Sequence, residues 1–257
     1  MKGPRVVVTA TMSIDGRIAL WPNRILLEPE VGAAWSALET PGATSLLQER
    51  QRPLTDRFGS TMAVLSGSGS FGTEPGSRLP SVDDDPDALL HDFLPAAVCA
   101  QPAHQKWFVV TDSRGRVRWS IKRVDGSDLL VLVTRSTPPE YLAYLRAEQI
   151  CYLVVGDDRV NFGVALQRIR DRLGVACVLA DGGGGLNGAL LRAGLVDELE
   201  LVMLPVAIGG TGIPSVFEGE PLGPAELLTR LTLTASRVTA DGAIWLSYDV
   251  NPTPNPA

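Results

Sequence analysis

Short apolar runs alternate along the chain with segments that have a helical spacing of apolar residues. Runs rich in Val, Ile and Leu occupy residues 5–10, 62–65, 107–111, 129–133, 150–155, 175–180 and 199–206. Because these runs are apolar on both faces, they are typical of central strands in a sheet that helices cover on each side. The alternation predicts an α/β fold with a mostly parallel sheet.

Two of the intervening segments carry helix-end signals. The segment 161–174 has a single apolar face, and Gly174 is placed to end the helix. A second helix is expected after the strand 129–133, with Thr137 as its N-cap and Pro138 in its first turn. Both helices would connect neighbouring strands.

The end of the chain has a different pattern. Residues 227–238 and 242–250 read as two strands, and "TADG" between them is a turn signal, so an antiparallel hairpin is expected there. Residues 74–105 are rich in Pro and Asp and are expected to form a surface excursion. We predict a single domain over residues 1–250 and a disordered tail over residues 251–257.

Composition narrows the range of partners. The chain has 257 residues, of which 45% are hydrophobic, and no apolar run is long enough to span a membrane. Its N-terminus becomes polar too early for a signal peptide, so we expect a cytoplasmic protein without a membrane partner. The net charge of −6 and the lack of a basic stripe argue against a nucleic-acid partner.

Histidine and cysteine are scarce. Cys99, Cys151 and Cys177 form no C-x-x-C pair, and His91 and His104 stand at no metal-ligand spacing. No metal site is therefore expected, and neither is a hydrolytic triad. The chemistry is expected to rely on a bound reagent.

The run "ADGGGGLNGALL" at residues 180–191 is the strongest local signal. Gly183, Gly185 and Gly188 fit G-x-G-x-x-G between a strand and a helix, where backbone N–H groups can hold a pyrophosphate. A Rossmann domain would also need an acidic residue at the end of the next strand, and the run 199–206 ends in Leu-Pro-Val. Two interpretations stay open, a phosphate cradle on another fold and a loop that only packs a helix tightly on a sheet.

Two further loops favour the cradle. "SGSGSFG" at residues 66–72 and "GGTG" at residues 209–212 each follow a predicted strand. Three glycine-rich loops at strand ends predict a long, phosphate-bearing ligand.

Four motifs together resemble a known family. They are "TMSIDGRIA" at 11–19, "MAVLSGSGS" at 62–70, "WFVVTDSRGRV" at 107–117, and the stretch 181–212 that starts "DGGGGLNG" and ends "GGTG". In this order they resemble the pyrimidine reductase domain of riboflavin biosynthesis. The resemblance implies a dihydrofolate-reductase-like fold, a homodimer, and an NADPH-dependent reduction that converts the ribosylamino group of a pyrimidine phosphate to a ribitylamino group.

The resemblance also implies site residues. Thr11 would line the cofactor site, Ser70 and Ser113 would hydrogen-bond the cofactor, and Asp181 would be the catalytic, substrate-facing carboxylate where the family has a glutamate. The residues expected to wrap the cofactor phosphates are Gly183, Gly184, Gly185, Leu186, Asn187, Gly188 and Ala189. Those expected to contact the substrate, besides Asp181, are Arg57, Glu74 and Arg78.

The residues leave other functions open. Asp15 and Gly16 are interpreted as a turn dipeptide. The zinc deaminase signature is absent from the sequence, so the chain is expected to reduce and not to deaminate. Alternatives are a dihydrofolate reductase-like enzyme, a specialised reductase of another pyrimidine or pterin-like compound, and a nucleotide-binding protein without catalytic activity.

Overall fold

The computed structural model describes residues 3–71, 79, 86–99, 106–223 and 228–251. Its strands are β1 (Arg5–Met12), β2 (Met62–Gly67), β3 (Trp107–Thr111), β4 (Arg123–Val124), β5 (Ser127–Val133), β6 (Cys151–Val154), β7 (Cys177–Ala180), β8 (Glu198–Met203), β9 (Leu231–Val238) and β10 (Ile244–Val250). Its helices are α1 (Pro29–Ser36), α2 (Pro41–Phe58), α3 (Pro86–Leu89), α4 (Ala96–Cys99), α5 (Pro139–Ala147), α6 (Phe162–Leu173) and α7 (Gly184–Arg192).

The chain divides into two compact units. The first unit consists of Met1–Pro4 and Ser60–Val178, and the second consists of Arg5–Gly59 and Leu179–Ala257. The predicted excursion 74–105 belongs to the first unit, and its residues 74–78, 80–85 and 100–105 lie outside the described part of the chain, as do residues 252–257 of the predicted tail.

In the first unit, β2, β3, β5 and β6 are parallel neighbours in the order β2-β3-β5-β6, and β4 runs antiparallel to β5. β5 is almost entirely buried, as expected for a strand with apolar residues on both faces. α5 packs Tyr141, Leu142 and Leu145 into the core of this unit. Parallel strands place their carboxyl ends at one edge, so the loops after β2, β3, β5 and β6 emerge together.

The two helices predicted from end signals are present. Asn161 caps α6 by accepting a hydrogen bond from the N–H of Val164, and Gly174 ends α6 with a φ of +68°. For α5 the prediction was wrong by one residue, because Pro138 occupies the N-cap position. The Thr137 hydroxyl instead accepts a hydrogen bond from the N–H of Thr134 and donates to the carbonyl of Ser113.

In the second unit, β1 and β8 are parallel, β10 runs antiparallel to β8, and β9 runs antiparallel to β10. The predicted C-terminal hairpin is therefore confirmed. α2 packs on β8 and β10, where Leu46 joins a core cluster with Val202 and Trp35.

The predicted fold class is confirmed, because the strands form mixed, mostly parallel sheets flanked by helices and end in antiparallel strands. Among the described residues, no helix is both long enough and apolar enough to cross a membrane.

Candidate functional site

The loop after β1 is bonded to the loop after β8. The N–H of Ile14 donates to the carbonyl of Val206, and the Asp15 carboxylate accepts hydrogen bonds from the N–H groups of Ile208 (3.0 Å) and Gly209 (2.8 Å). These bonds, with one from the Ser13 hydroxyl, lower the pKa of Asp15 far below its usual range. From the sequence, this residue was interpreted only as part of a turn. Its carboxylate thus also holds the glycine-rich loop at residues 209–212.

The turn itself is present as predicted. Gly16 has a φ of +77°, and its N–H donates to the carbonyl of Ser13. Beyond the turn, the Arg17 guanidinium donates to the carbonyl of Ile213, and the N–H of Ile18 donates to the carbonyl of Pro214. The first sequence motif and the segment 213–218 are therefore joined by several hydrogen bonds.

The same segment packs on α7. A Cβ added to Gly184 would lie 2.1 Å from the carbonyl oxygen of Ser215, and one added to Gly188 would lie 1.8 Å from that of Glu218. Neither position has room for a side chain. Gly184 and Gly188 are thus required by the packing of α7, which is the second interpretation of the glycine run.

Gly183 and Gly185 behave differently. A Cβ added to either residue would meet no atom within 4 Å. Gly183 is the N-cap of α7 and Gly185 lies in its first turn, where backbone N–H groups lack the carbonyl partners of a helix interior. Open space beside such N–H groups is what a phosphate needs, because the helix start also carries a partial positive charge. The open side of the first turn therefore fits the cradle interpretation.

The remaining residues of the predicted cradle differ in exposure. Leu186 and Asn187 are buried, whereas Ala189 is exposed. The Asn187 amide donates to the carbonyl of Val216 at 3.1 Å and, more weakly, to that of Gly182 at 3.4 Å. Its Oδ1 is buried without a hydrogen-bond partner among the described residues. The Asn187 side chain thus fastens α7 to the segment 213–218.

Asp181 lies between the end of β7 and α7. Its side chain is exposed, yet the surrounding protein atoms raise its pKa, and the positive charge of Arg50 opposes that rise. Asp181 is thus an accessible carboxylate whose charge is balanced by a buried arginine.

Arg50, whose charge acts on Asp181, was not among the residues predicted from the sequence. It lies on α2 and is 8% exposed, and its Nη1 approaches the carbonyl oxygens of Ala10 and Glu200, each at 3.4 Å. Desolvation lowers its pKa, and the charges of Asp181 and Glu200 oppose that change. A signal was present in the sequence, because Arg50 occupies the apolar face that Ala43, Leu46 and Leu54 define on this helix.

Glu200 is the second carboxylate whose charge acts on Arg50. Its carboxylate accepts hydrogen bonds from the indole N–H of Trp245 at 2.5 Å and from the Ser247 hydroxyl at 2.9 Å. Burial raises the pKa of Glu200 to about 7. The charges of both Asp181 and Glu200, two carboxylates that differ in exposure, therefore act on Arg50.

The other predicted site residues are placed as follows. Thr11 is half-buried and is the second-to-last residue of β1. Arg57 is exposed in the last turn of α2, and its guanidinium lies over the ring of Phe58. In the first unit, Ser70 and Ser113 follow the carboxyl ends of β2 and β3, which are parallel neighbours. Glu74 and Arg78 lie outside the described residues.

Comparisons with known proteins agree with this architecture. Residues 4–245 match the RibD C-terminal domain family. A 2,5-diamino-6-ribosylamino-4(3H)-pyrimidinone 5′-phosphate reductase of Methanothermobacter thermautotrophicus is 26% identical over 242 residues, covering 94% of this chain and 96% of that protein. A reductase of the same name from Archaeoglobus fulgidus is 36% identical over 115 residues, covering 44% of this chain and 51% of that protein.

Solved structures show the same fold. A pyrimidine reductase-like protein of Corynebacterium diphtheriae superposes with a TM-score of 0.63 at 15% identity, covering 96% of this chain and 92% of that one. Acinetobacter baumannii RibD superposes with a TM-score of 0.59 at 19% identity, covering 97% of this chain and 58% of that one. This chain thus spans little more than half of that RibD. The relatives by sequence are reductases, which confirms the predicted enzyme class, an oxidoreductase. The chain belongs to the RibD C-terminal domain family.

Proposed function

We propose that this protein uses NADPH to reduce a ribosylaminopyrimidine phosphate. The observation that carries the proposal is the first turn of α7, where Gly183 and Gly185 leave the backbone open while Gly184 and Gly188 fasten the helix in place. A rigid helix start with an open face suits a pyrophosphate. The match to a named reductase over 96% of its length supports the substrate class.

The nicotinamide cofactor, when bound, supplies the hydride. Residues Gly183–Ala189 would hold its phosphates through the backbone N–H groups of the first helical turn, and not through side chains. Thr11, Ser70 and Ser113 are proposed as further contacts to the cofactor. Such chemistry depends mainly on alignment and on exclusion of water, which is consistent with a chain that has only two histidines.

Asp181 is the proposed catalytic residue on the substrate side. An exposed carboxylate can accept a hydrogen bond from a substrate hydroxyl or amine, and in its protonated form it can give a proton to the nitrogen or oxygen of the bond whose carbon receives the hydride. The Arg50 charge favours the ionised form of Asp181. Arg57, Glu74 and Arg78 are proposed as substrate contacts on the family resemblance alone.

Binding of NADPH to a Gly185→Val protein tests the cradle. The added Cβ meets no protein atom within 4 Å, so the protein should fold normally while its affinity for NADPH falls by about tenfold or more, through loss of phosphate hydrogen bonds. Gly163→Val is the matched control, because Gly163 lies in the first turn of α6 and its added Cβ would meet only the Asn161 Oδ1, at 3.4 Å. Unchanged NADPH affinity of Gly185→Val would remove the cradle.

Turnover tests the activity. Oxidation of NADPH should require the ribosylaminopyrimidinone 5′-phosphate, and dihydrofolate or another pterin should not replace it. Equal rates with dihydrofolate would favour the dihydrofolate reductase-like alternative, and complementation of a riboflavin auxotroph would separate a riboflavin enzyme from a specialised reductase.

A homodimer is proposed as the working form in the cytoplasm. β9 is the outermost strand of its sheet and is exposed along most of its length, including Leu231, Leu233 and Val238. An open edge strand with exposed apolar side chains is favourable for pairing with a second copy. Light scattering should give twice the chain mass, and Leu233→Lys should shift the protein to the monomer.

A further inference from the structure

A polar cavity of about 640 Å³ lies in the first unit, at the carboxyl ends of β5 and β6. The loops that follow these strands are joined by two backbone hydrogen bonds. The N–H of Arg135 donates to the carbonyl of Gly156, and the N–H of Ser136 donates to the backbone carbonyl of Asp157. Ligands of parallel sheets bind outside the carboxyl ends of the strands. The cavity is within the size range of small-molecule sites.

Three arginines line this cavity. Arg168 and Arg172 lie four residues apart on α6, and Arg135 comes from the loop after β5. Asp92 and Asp157 are the two carboxylates in the lining. The charged side chains that line the cavity thus have a positive net charge, although the whole chain carries a net charge of −6.

The Asp92 carboxylate holds two of the arginines in place. Its oxygens accept hydrogen bonds from Arg168 Nη1 at 3.0 and 3.2 Å and from Arg172 Nη1 at 2.5 Å, and Oδ1 also accepts one from the N–H of Val154 at 2.9 Å. The Asp92 side chain is only 11% exposed, whereas those of Arg168 and Arg172 are 41% and 49% exposed. The guanidinium groups are thus oriented by a mostly buried carboxylate, and their exposure leaves further N–H donors open to the cavity.

Arg135 distinguishes this cavity from a purely structural ion-pair cluster. Asp92 joins its own segment to β6 and α6 through hydrogen bonds. This structural role accounts for the presence of Arg168, which also bonds the carbonyl of Val154, and for one of the donors of Arg172. The exposed Arg135 side chain has no partner within the described part of the chain, and it lines the cavity from a different loop. Among the described residues of this unit, no side-chain hydrogen bond or ion pair accounts for a third guanidinium at this place.

We propose that this cavity binds a phosphate monoester carried by a nucleotide-sized ligand. Guanidinium groups bind phosphate oxygens through paired N–H donors, and prior orientation reduces the entropy lost on binding. The His91 imidazole, which also lines the cavity, offers a further donor. The proposal does not depend on the substrate of the reductase.

Titration calorimetry of the full chain with 2′-AMP, and with adenosine as the ligand without phosphate, tests the cavity. We expect 2′-AMP to bind and adenosine to bind at least about tenfold more weakly, the difference made by one or more charge-assisted hydrogen bonds. Arg135→Ala should weaken 2′-AMP binding by about tenfold, and Arg135→Lys by less, because lysine keeps the charge but not the paired donors.

Arg52→Ala is the matched control, since Arg52 is an exposed arginine on α2 and does not line the cavity. It should bind 2′-AMP as the native protein does, and the Arg135 and Arg52 variants should keep the native melting temperature. Competition then separates two sources of the phosphate: displacement of 2′-AMP by NADP⁺ but not by NAD⁺ assigns it to the dinucleotide, and displacement by neither assigns it to a separate ligand. Equal binding of 2′-AMP and adenosine, or native affinity in an Arg135→Ala/Arg172→Ala protein, would overturn the proposal.

Discussion

The carboxylate of Asp15 accepts a hydrogen bond from the backbone N–H of Gly209, 194 residues further along the chain, at 2.8 Å. This bond joins the turn after β1 to the glycine-rich loop after β8. Because β1 and β8 are parallel neighbours, their carboxyl ends bring two distant motifs to one place. The Asp-Gly dipeptide thus forms its own turn and also holds another loop.

Asp15→Asn should loosen that loop. An amide offers one acceptor oxygen in place of two, so the N–H groups of Ile208 and Gly209 cannot both keep their present partner. We expect faster backbone hydrogen exchange at residues 208–212 and a several-fold loss of turnover. Asp125→Asn is a matched control, since Asp125 also lies in a turn, with a φ of +47°, but in the first unit. Native exchange rates in Asp15→Asn would contradict this role.

The same substitution should alter the response to acid. The pKa of Asp15 is lowered in the folded protein, so its contribution to stability is present above the unfolded pKa of about 4 and is lost as the pH falls further. Urea unfolding of native protein and Asp15→Asn should therefore give midpoints that converge as the pH falls below about 4. A constant difference at all pH values would mean that the carboxylate charge is not involved.

The glycine run should divide into two classes by stability. Gly188→Ala places a methyl group against the carbonyl oxygen of Glu218, and overpacking of this kind costs about 1 to 3 kcal/mol. Gly185→Ala adds a methyl group in open space and should leave stability unchanged or raise it by up to about 1 kcal/mol. Urea unfolding measures both. Equal stability of the two variants would refute the division.

Gly184→Val, the obvious substitution from sequence, is a poor probe of the cradle because it would disrupt packing.

Local signals in the sequence were sufficient for much of the fold. The buried runs predicted the strands, and Asn161 and Gly174 located the ends of α6, because caps depend only on nearby residues. Helix α2 was not predicted from the sequence, although Thr40 caps it and Pro41 occupies its first turn. Pro53 inside α2 and a mostly polar composition weakened the helical signal, and tertiary packing on β8 and β10 provides what local preference lacks.

The site was harder to predict than the fold. Spacing placed Gly183, Gly184, Gly185 and Gly188 in one motif, but only the segment 213–218 decides which of them must be small. The same is true of Arg50, whose role depends on Asp181 and Glu200 from elsewhere in the second unit. Such distinctions arise from contacts between residues far apart in sequence, so they follow from the tertiary structure and not from the motif.

Asp181→Ala should separate chemistry from cofactor binding. If Asp181 contacts the substrate, its loss should reduce kcat by about a hundredfold or more and leave the affinity for NADPH unchanged. Asp181→Glu keeps the carboxylate on a side chain one methylene longer and should keep part of the activity. Asp158→Ala, a change of another exposed aspartate in the first unit, is the control. Unchanged turnover of Asp181→Ala would remove this residue from the site.

Arg50→Met should change the pH dependence of that activity. The Arg50 charge lowers the pKa of Asp181, and its removal should move the acidic limb of kcat to higher pH if the ionised carboxylate is the active form. Methionine fills a similar volume on the buried face of α2, which limits the loss of packing. Arg52→Met provides the control on the exposed face of the same helix. An unshifted acidic limb, with Asp181→Ala inactive, would show that Arg50 does not act on Asp181.

Glu200→Gln should change how stability depends on pH near neutrality. The folded pKa of Glu200 is about 7, above an unfolded value of about 4.3, so the folded state holds a proton that the unfolded state has lost. Stability from this group is therefore present below a pH of about 4.3 and is lost as the pH rises through about 7. Glutamine does not titrate, so the free energy of unfolding of Glu200→Gln, measured in urea, should fall less than that of the native protein between pH 5 and pH 8. Asp56→Asn, on the exposed side of α2, should follow the native curve. Parallel curves for native protein and Glu200→Gln would mean that Glu200 stays ionised in the folded protein, held so by Arg50.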